Sequence, residues 1–201
     1  MNRLVQKPLL EFVRLIVPQS AQRAFRVWQE SRSFSNRPDR EFLVGRILPK
    51  LSKPGATILW VRCQPYTFPY LRMIERRGAE RWTLDIDPSS RWWGHSRRHV
   101  IGDLRRVAII YSERQFDVTL VNGVFGYGLN TEEEQNEAVE GLARVLKPGG
   151  LLMLGWNTHR APDPVCLPAI DHFFIRSKQS GFDRRITLPG STHVYDFLGL
   201  R

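Results

Sequence analysis

The stretch LARVLKPGGLLML, residues 142–154, changes its period halfway along. Upstream of the change, Ala138, Leu142, Val145 and Leu146 recur at helical spacing. Thr131 followed by Glu134 is a capping-box pattern, and the acids at 132–134 sit where a helix N-terminus favours negative charge. Pro148-Gly149-Gly150 stops that helix, and LLMLGW (151–156) then reads as a buried strand. A helix that stops sharply and hands over to an apolar strand is half of a parallel crossover unit.

The rest of the chain supplies the matching halves. TILWV (57–61), RWTLDI (81–86), RHVIGD (98–103) and FDVTLV (116–121) read as strands. YLRMIERR (70–77) reads as a helix stopped by Gly78. Residues 163–177 read as helical. FDRRITL (182–188) and THVYDFL (192–198) read as a hairpin about Pro189-Gly190-Ser191. The expected fold is α/β: a three-layer, Rossmann-like sandwich whose mostly parallel sheet ends in a C-terminal antiparallel hairpin. Residues 1–53 read as a basic helical N-terminal extension and residues 54–201 as the α/β domain, with Lys53-Pro54-Gly55 as punctuation. Within the extension, SRSFSNRPD (31–39) reads as a polar break, and Asp39 as the cap of a helix through Glu41, Leu43, Val44, Ile47 and Leu48.

Composition bounds the function. With 42% hydrophobic and 25% charged residues in 201, the chain reads as globular rather than disordered. Two cysteines are too few for a disulfide framework and fit either a reducing, cytoplasmic setting or simple small core residues. No Cys/His spacing resembles a zinc site, so no metal is expected. The formal net charge is +10, and the first 60 residues hold eleven basic and four acidic side chains. That excess suits an anionic partner (RNA, a membrane surface or an acidic substrate) or simply a basic solvated surface. MNRLVQKPLLEFVRLIVP is compatible with an amphipathic helix, which either packs on the domain or makes peripheral membrane contact.

An open parallel sheet binds ligands beyond the carboxyl ends of its strands. Those ends carry Arg62 to Thr67, then Asp85 and Asp87, then Gly102-Asp103, then Asn122-Gly123. An acid such as Asp85 can accept hydrogen bonds from both hydroxyls of a ribose, or it can cap a loop. Asp103 is open to the same two readings, as a ligand group or as a turn residue.

Together ILWVRCQPYT, TLDIDP, HVIGDL, FDVTLVNGVFGYGL and LARVLKPGGLLML resemble the class I S-adenosylmethionine-dependent methyltransferases, over roughly residues 45 to 160. The resemblance implies S-adenosylmethionine as cofactor. It implies that Asp85 takes the ribose hydroxyls with Ile86 against the adenine, and that Asp103 and Leu104 meet the adenine edge. Asn122 and Gly123 would lie beside the methionine portion. The loop containing Arg62, Cys63, Gln64 and Tyr66 would pass under the methionine carboxylate and amine. That loop departs from the family, which has glycines where this chain has Arg62, Gln64 and Pro65. Arg62 either pairs with the cofactor carboxylate or fills the pocket.

His159, with Asn157 as a polar partner, is the candidate general base; the competing reading is an exposed loop histidine. His193 and Tyr195 read as packing residues of the hairpin. Phe125, Tyr127, Trp156, Trp92 and Trp93 are candidate walls of an acceptor pocket. The family's Asn/Asp-Pro-Pro-aromatic motif is absent, since Asn122 is followed by Gly-Val-Phe. A small-molecule acceptor is therefore expected. The alternative is a non-catalytic methyltransferase-fold protein acting as a binding or regulatory partner, and RNA methylation comes third.

Overall fold

The computed structural model describes residues 18–34, 37–176 and 181–201. The amphipathic stretch read at the N-terminus lies outside the described residues, apart from Pro18. Helix α1 (Gln19–Phe34) comes first. α2 (Pro38–Phe42) continues through a π-helical turn, Leu43–Ile47, into α3 (Leu48–Leu51). The strands are β1 (Thr57–Val61), β2 (Glu80–Asp85), β3 (His99–Ile101) and β4 (Phe116–Asn122), then β5 (Leu146–Asn157), β6 (Phe174–Arg176), β7 (Arg185–Thr187) and β8 (His193–Leu200). Between them lie α4 (Phe68–Arg76), α5 (Val107–Ile110), α6 (Glu132–Val145) and α7 (Pro168–Phe173).

The sheet order is β3-β2-β1-β4-β5-β8, with β6 and β7 both pairing with β8. The pairs from β3 to β5 are parallel, and β8 is antiparallel to β5. β1 is buried on both faces, which is why its sequence is a continuous apolar run rather than an alternating one. Successive residues still divide between two cores. Leu59 and Val61 pack with Leu142, Val139 and Val107 from α6 and α5. Ile58 and Trp60 pack with Leu43, Ile47 and Leu48, with Leu71 and Ile74 of α4, and with Tyr195 and Phe197 of β8.

The main boundaries agree with the sequence reading. Gly78 ends α4 at φ +84, and the Thr131–Glu134 capping box forms at both hydrogen bonds. Four details differ. Pro38, not Asp39, opens α2: its fixed φ and missing N–H suit a first helical position. Asp39 is inside that helix, buried, and its carbonyl accepts a 2.9 Å bond from the Tyr195 hydroxyl. α1 runs on to Phe34, so the polar break is shorter than 31–39. Leu146 leaves α6 and pairs with Phe116, so β5 takes in Lys-Pro-Gly-Gly across a register shift before parallel pairing resumes at Leu151. Finally, of the stretch read as helical, 163–176 is a single 3₁₀ turn (Pro164–Cys166), the short α7 and the strand β6, because Phe174 turns extended to pair with Leu200.

Candidate functional site

β1 leads through its crossovers to β2 and β3 on one side of the sheet, while β4 and β5 lie on the other. The strand order therefore reverses between β1 and β4, and a crevice opens beyond their carboxyl ends. This cleft is lined by Val61, Arg62, Asp85, Ile86 and Gly102, by Asp103, Leu104 and Arg105, and by Val124, Tyr127, Gly128 and Leu129.

Asp85 ends β2 and is almost buried. Its Oδ2 accepts the Cys63 amide at 2.6 Å, and its Oδ1 accepts the Asp87 amide at 2.9 Å. Each oxygen keeps a further acceptor position, so the carboxylate can still receive two hydroxyls. Next to it, the Ile86 side chain is 66% exposed and lines the cleft. Asp103 caps the 3₁₀ turn Leu104–Arg106 through the Arg105 amide, 2.9 Å away, and pairs with the Arg105 guanidinium. That pairing holds the Asp103 carboxyl below its ordinary pKa. The floor is apolar, made by Val61, Leu104 and Leu129, all buried.

At the β1 end stands Arg62. Its φ is +71, in the region that glycine reaches without penalty and other residues reach at a cost of about 1 kcal/mol. Its Nη1 donates to the Gly123 carbonyl at the end of β4. The guanidinium also lies 5.1 Å from the centre of the Tyr127 ring, and Arg160 lies 5.3 Å from the same ring. The Tyr127 hydroxyl accepts a 2.8 Å bond from Asn157. The loop carrying Tyr127 turns at Gly126, φ +78, where a Cβ would come within 2.5 Å of the Arg160 carbonyl. Only glycine allows this approach.

Behind the cleft a polar chain ties three strand ends together. His193 of β8 is 3% exposed. Its Nδ1 lies 2.8 Å from the Asn157 side-chain oxygen of β5, and its Nε2 lies 2.9 Å from the Asn122 carboxamide of β4. Burial, with Arg40 nearby, lowers the His193 pKa to about 3, so the ring is neutral and carries one N–H. Asn157 uses its NH2 on Tyr127, so its oxygen faces the ring and accepts from Nδ1–H. Nε2 is then an acceptor, so the Asn122 carboxamide, placed with its Oδ1 2.9 Å from Nε2, is assigned the flipped orientation with its NH2 toward the ring. The chain needs Gly155, where a Cβ would overlap the Asn122 side chain and come within 2.9 Å of His193 Nε2. Gly155→Ala is expected to cost about 1–3 kcal/mol of stability by overpacking, read as a lower denaturant midpoint. A midpoint equal to wild type would mean that this wall is loosely packed.

Of the residues singled out in the sequence, the cleft gathers Arg62, Asp85, Ile86, Asp103 and Leu104. Gly123 and Asn122 stand at its border through the contacts with Arg62 and His193. Cys63 sends its side chain into the core on the α4 side, where burial pushes its thiol pKa up. Gln64 and Tyr66 lie outside the cleft lining. Gln64 bonds Thr67, and Tyr66 stacks on Phe34 of α1 at 4.3 Å. His159 and Arg160 are exposed in the turn after β5. Trp92 and Trp93 sit under α1 beside Arg23, and Phe125 and Trp156 are core residues, so among the candidate aromatics Tyr127 is the one in the cleft. The roles of Arg105 and His193 were not legible locally. Arg105 pairs with Asp103 only two positions away, a contact no motif marked, whereas the partners of His193 are brought in by the fold from 36 and 71 positions away.

The comparisons bear on the fold. Residues 67–154 match the family model described as a methyltransferase domain. The fold is similar to a TehB-like SAM-dependent methyltransferase from Corynebacterium glutamicum, with 19% identity and a TM-score of 0.64 over 92% of this chain and 100% of that one. It is similar to the N-methyltransferase NodS from Bradyrhizobium japonicum, solved with S-adenosyl-l-homocysteine, at 13% identity and TM-score 0.65, covering 87% of this chain and 98% of that one. It is also similar to the Burkholderia thailandensis 1,6-didemethyltoxoflavin-N1-methyltransferase, at 13% identity and TM-score 0.58, covering 90% of this chain and 85% of that one. No curated protein matches the sequence. Among the described residues no helix is long and apolar enough to cross a membrane.

Proposed function

We propose that this chain, which has the class I methyltransferase fold and matches the methyltransferase-domain model over residues 67–154, moves a methyl group from S-adenosylmethionine to a small-molecule acceptor. The observation that carries this reading is the exposed Ile86 set between the Asp85 and Asp103 carboxylates, above an apolar floor at the strand-order switch. An adenosine needs such a surface: an apolar platform for its base, an acceptor for its ribose hydroxyls, and a carboxylate near its amino edge. The NodS complex with S-adenosyl-l-homocysteine and the 1,6-didemethyltoxoflavin-N1-methyltransferase, solved with bound 1,6-didemethyltoxoflavin and S-adenosylhomocysteine, support the cofactor and the acceptor class.

When bound, the cofactor supplies a sulfonium methyl open to direct displacement. The chain's task is then mainly alignment and exclusion of water. Asp85 accepts the ribose hydroxyls on the oxygens that already anchor the β1 loop. Ile86 covers the adenine. The Asn122–His193–Asn157 chain fixes the strand ends that wall the acceptor side. His193, with its pKa near 3, is too weak a base to deprotonate an acceptor at neutral pH. His159, in the exposed turn after β5, is the proposed base where the acceptor holds a proton. Catalysis in a cytoplasmic biosynthetic step fits this reading. A non-catalytic binding role is the second reading, and the Arg62 guanidinium lying across the crevice favours it.

Calorimetric titration with S-adenosylmethionine and S-adenosylhomocysteine tests the proposal. Micromolar binding is expected, and Asp85→Ala should weaken it about 100-fold, the worth of two hydrogen bonds to a charged acceptor. The variant also frees the Cys63 amide, so its melting curve must be recorded alongside. A folded Asp85→Ala protein with wild-type affinity would refute the ribose contact.

A further inference from the structure

We propose that Arg62 decides which ligands the cleft admits: its guanidinium holds the end of the crevice where a bound nucleoside's amino-acid tail would lie, so adenosine-type ligands without that tail enter freely while tailed ligands must displace it. This rests on the adenosine reading of the cleft made above.

Three observations point to it. The contact from Arg62 to the Gly123 carbonyl joins the ends of β1 and β4, the two strands between which the sheet order reverses. That carbonyl stands at the border of the cleft beside Val124, and it already holds the Arg62 cation. The guanidinium is held from a second side by the Tyr127 ring, and Tyr127 is itself fixed by Asn157 and flanked by Arg160. A Cβ placed on Gly123 would lie 3.2 Å from the Arg62 Nη1, so little room remains between the side chain and the β4 end. The adenosine half is different, since Ile86 is open and the Asp85 and Asp103 carboxylates keep free acceptor positions.

The chemistry gives the selection its sign. The tail of S-adenosylmethionine or S-adenosylhomocysteine carries an ammonium and a carboxylate. Its ammonium competes with Arg62 for the same carbonyl and is repelled by the same charge. Its carboxylate can attract Arg62, but only after the side chain has left Gly123. Apparent affinity for a tailed ligand is therefore reduced by the fraction of molecules in which Arg62 has swung away. A ligand ending at the sulfur, such as 5′-methylthioadenosine, escapes that reduction.

The experiment is calorimetric titration of the full chain and of Arg62→Gly with 5′-methylthioadenosine and with S-adenosylhomocysteine. Glycine suits a φ of +71, so the variant should fold, and a melting curve checks it. Wild type is expected to bind 5′-methylthioadenosine at least as tightly as S-adenosylhomocysteine. Arg62→Gly is expected to bind S-adenosylhomocysteine about tenfold more tightly or better, with 5′-methylthioadenosine changed by less than about twofold. If S-adenosylhomocysteine affinity is unchanged or falls in Arg62→Gly while 5′-methylthioadenosine still binds, Arg62 is neutral or grips the carboxylate, and the proposal is overturned with the cofactor reading left standing. If neither protein binds 5′-methylthioadenosine, the adenosine reading fails and takes this inference with it.

Discussion

Asp196→Ala is expected to destabilise the protein by about 3 kcal/mol, a fall of roughly 6–12 °C in melting temperature for a chain of this size. Asp196 lies in the middle of β8 with its side chain 1% exposed. Its Oδ2 accepts the Trp156 indole N–H at 2.9 Å, and Arg185 reaches it with Nε at 2.7 Å and Nη2 at 3.0 Å. Arg185 also holds Asp163 at 2.6 and 2.7 Å, and both carboxylates raise the arginine pKa. Removing Asp196 leaves a buried indole N–H without its acceptor and a partly buried cation with one partner instead of two. Because Arg185 is 29% exposed and keeps Asp163, the cost falls at the lower end for a broken buried pair. Asp163→Ala touches the more exposed end and should cost clearly less. Chemical denaturation of both variants checks this, and equal losses would show that the Trp156 bond carries little.

Acid should weaken the fold well above the pH at which carboxylates titrate. His193 has a pKa near 3 when folded, against 6.5 when free. Below about pH 6.5 the unfolded chain takes up a proton that the folded chain refuses, so stability falls as pH drops and keeps falling until about pH 3. At pH 5 the loss from this one group is about 2 kcal/mol. His95 and His99 are also shifted down, chiefly by burial, and add to the same slope. The difference between wild type and His193→Gln isolates the term: the variant should be flatter between pH 7 and 5. The carboxyls of Asp103, Asp117 and Asp163, all shifted downward, act only at lower pH. Parallel curves for the two proteins would mean that folding leaves the His193 pKa at its ordinary value and that the ring is not held neutral by its burial.

Local signals made the frame readable. Period changes, the Thr131 capping box and the stop at Gly78 depend on neighbours in sequence, so they survive into the structure. That Asp85, Ile86, Asp103 and Leu104 would share one cleft was readable for a related reason, since each stands at or just beyond a strand end that the pattern already marks. What escaped was set by distance or by competition. Asp39 looked like a cap, but Pro38 beside it opens the helix. The helix read over 163–177 gave way because Phe174 gains a strand partner from the C-terminus, which no local pattern reveals. Arg62 is the sharpest case. The sequence showed that a glycine was missing but not the conformation left behind, and the backbone keeps the positive φ with an arginine mounted on it.

The interrupted border of the sheet has a consequence for behaviour in concentrated solution. β6 and β7 each pair with a different part of β8 and are three residues long, and β3 at the opposite border is also three residues long. Among the described residues, an incoming chain therefore meets no extended row of free amides and carbonyls longer than three residues. Such short, broken rims are poor templates for edge-to-edge polymerisation. The long strands β4, β5 and β8 stay inside the sheet, where fibril-forming contacts would require unfolding first.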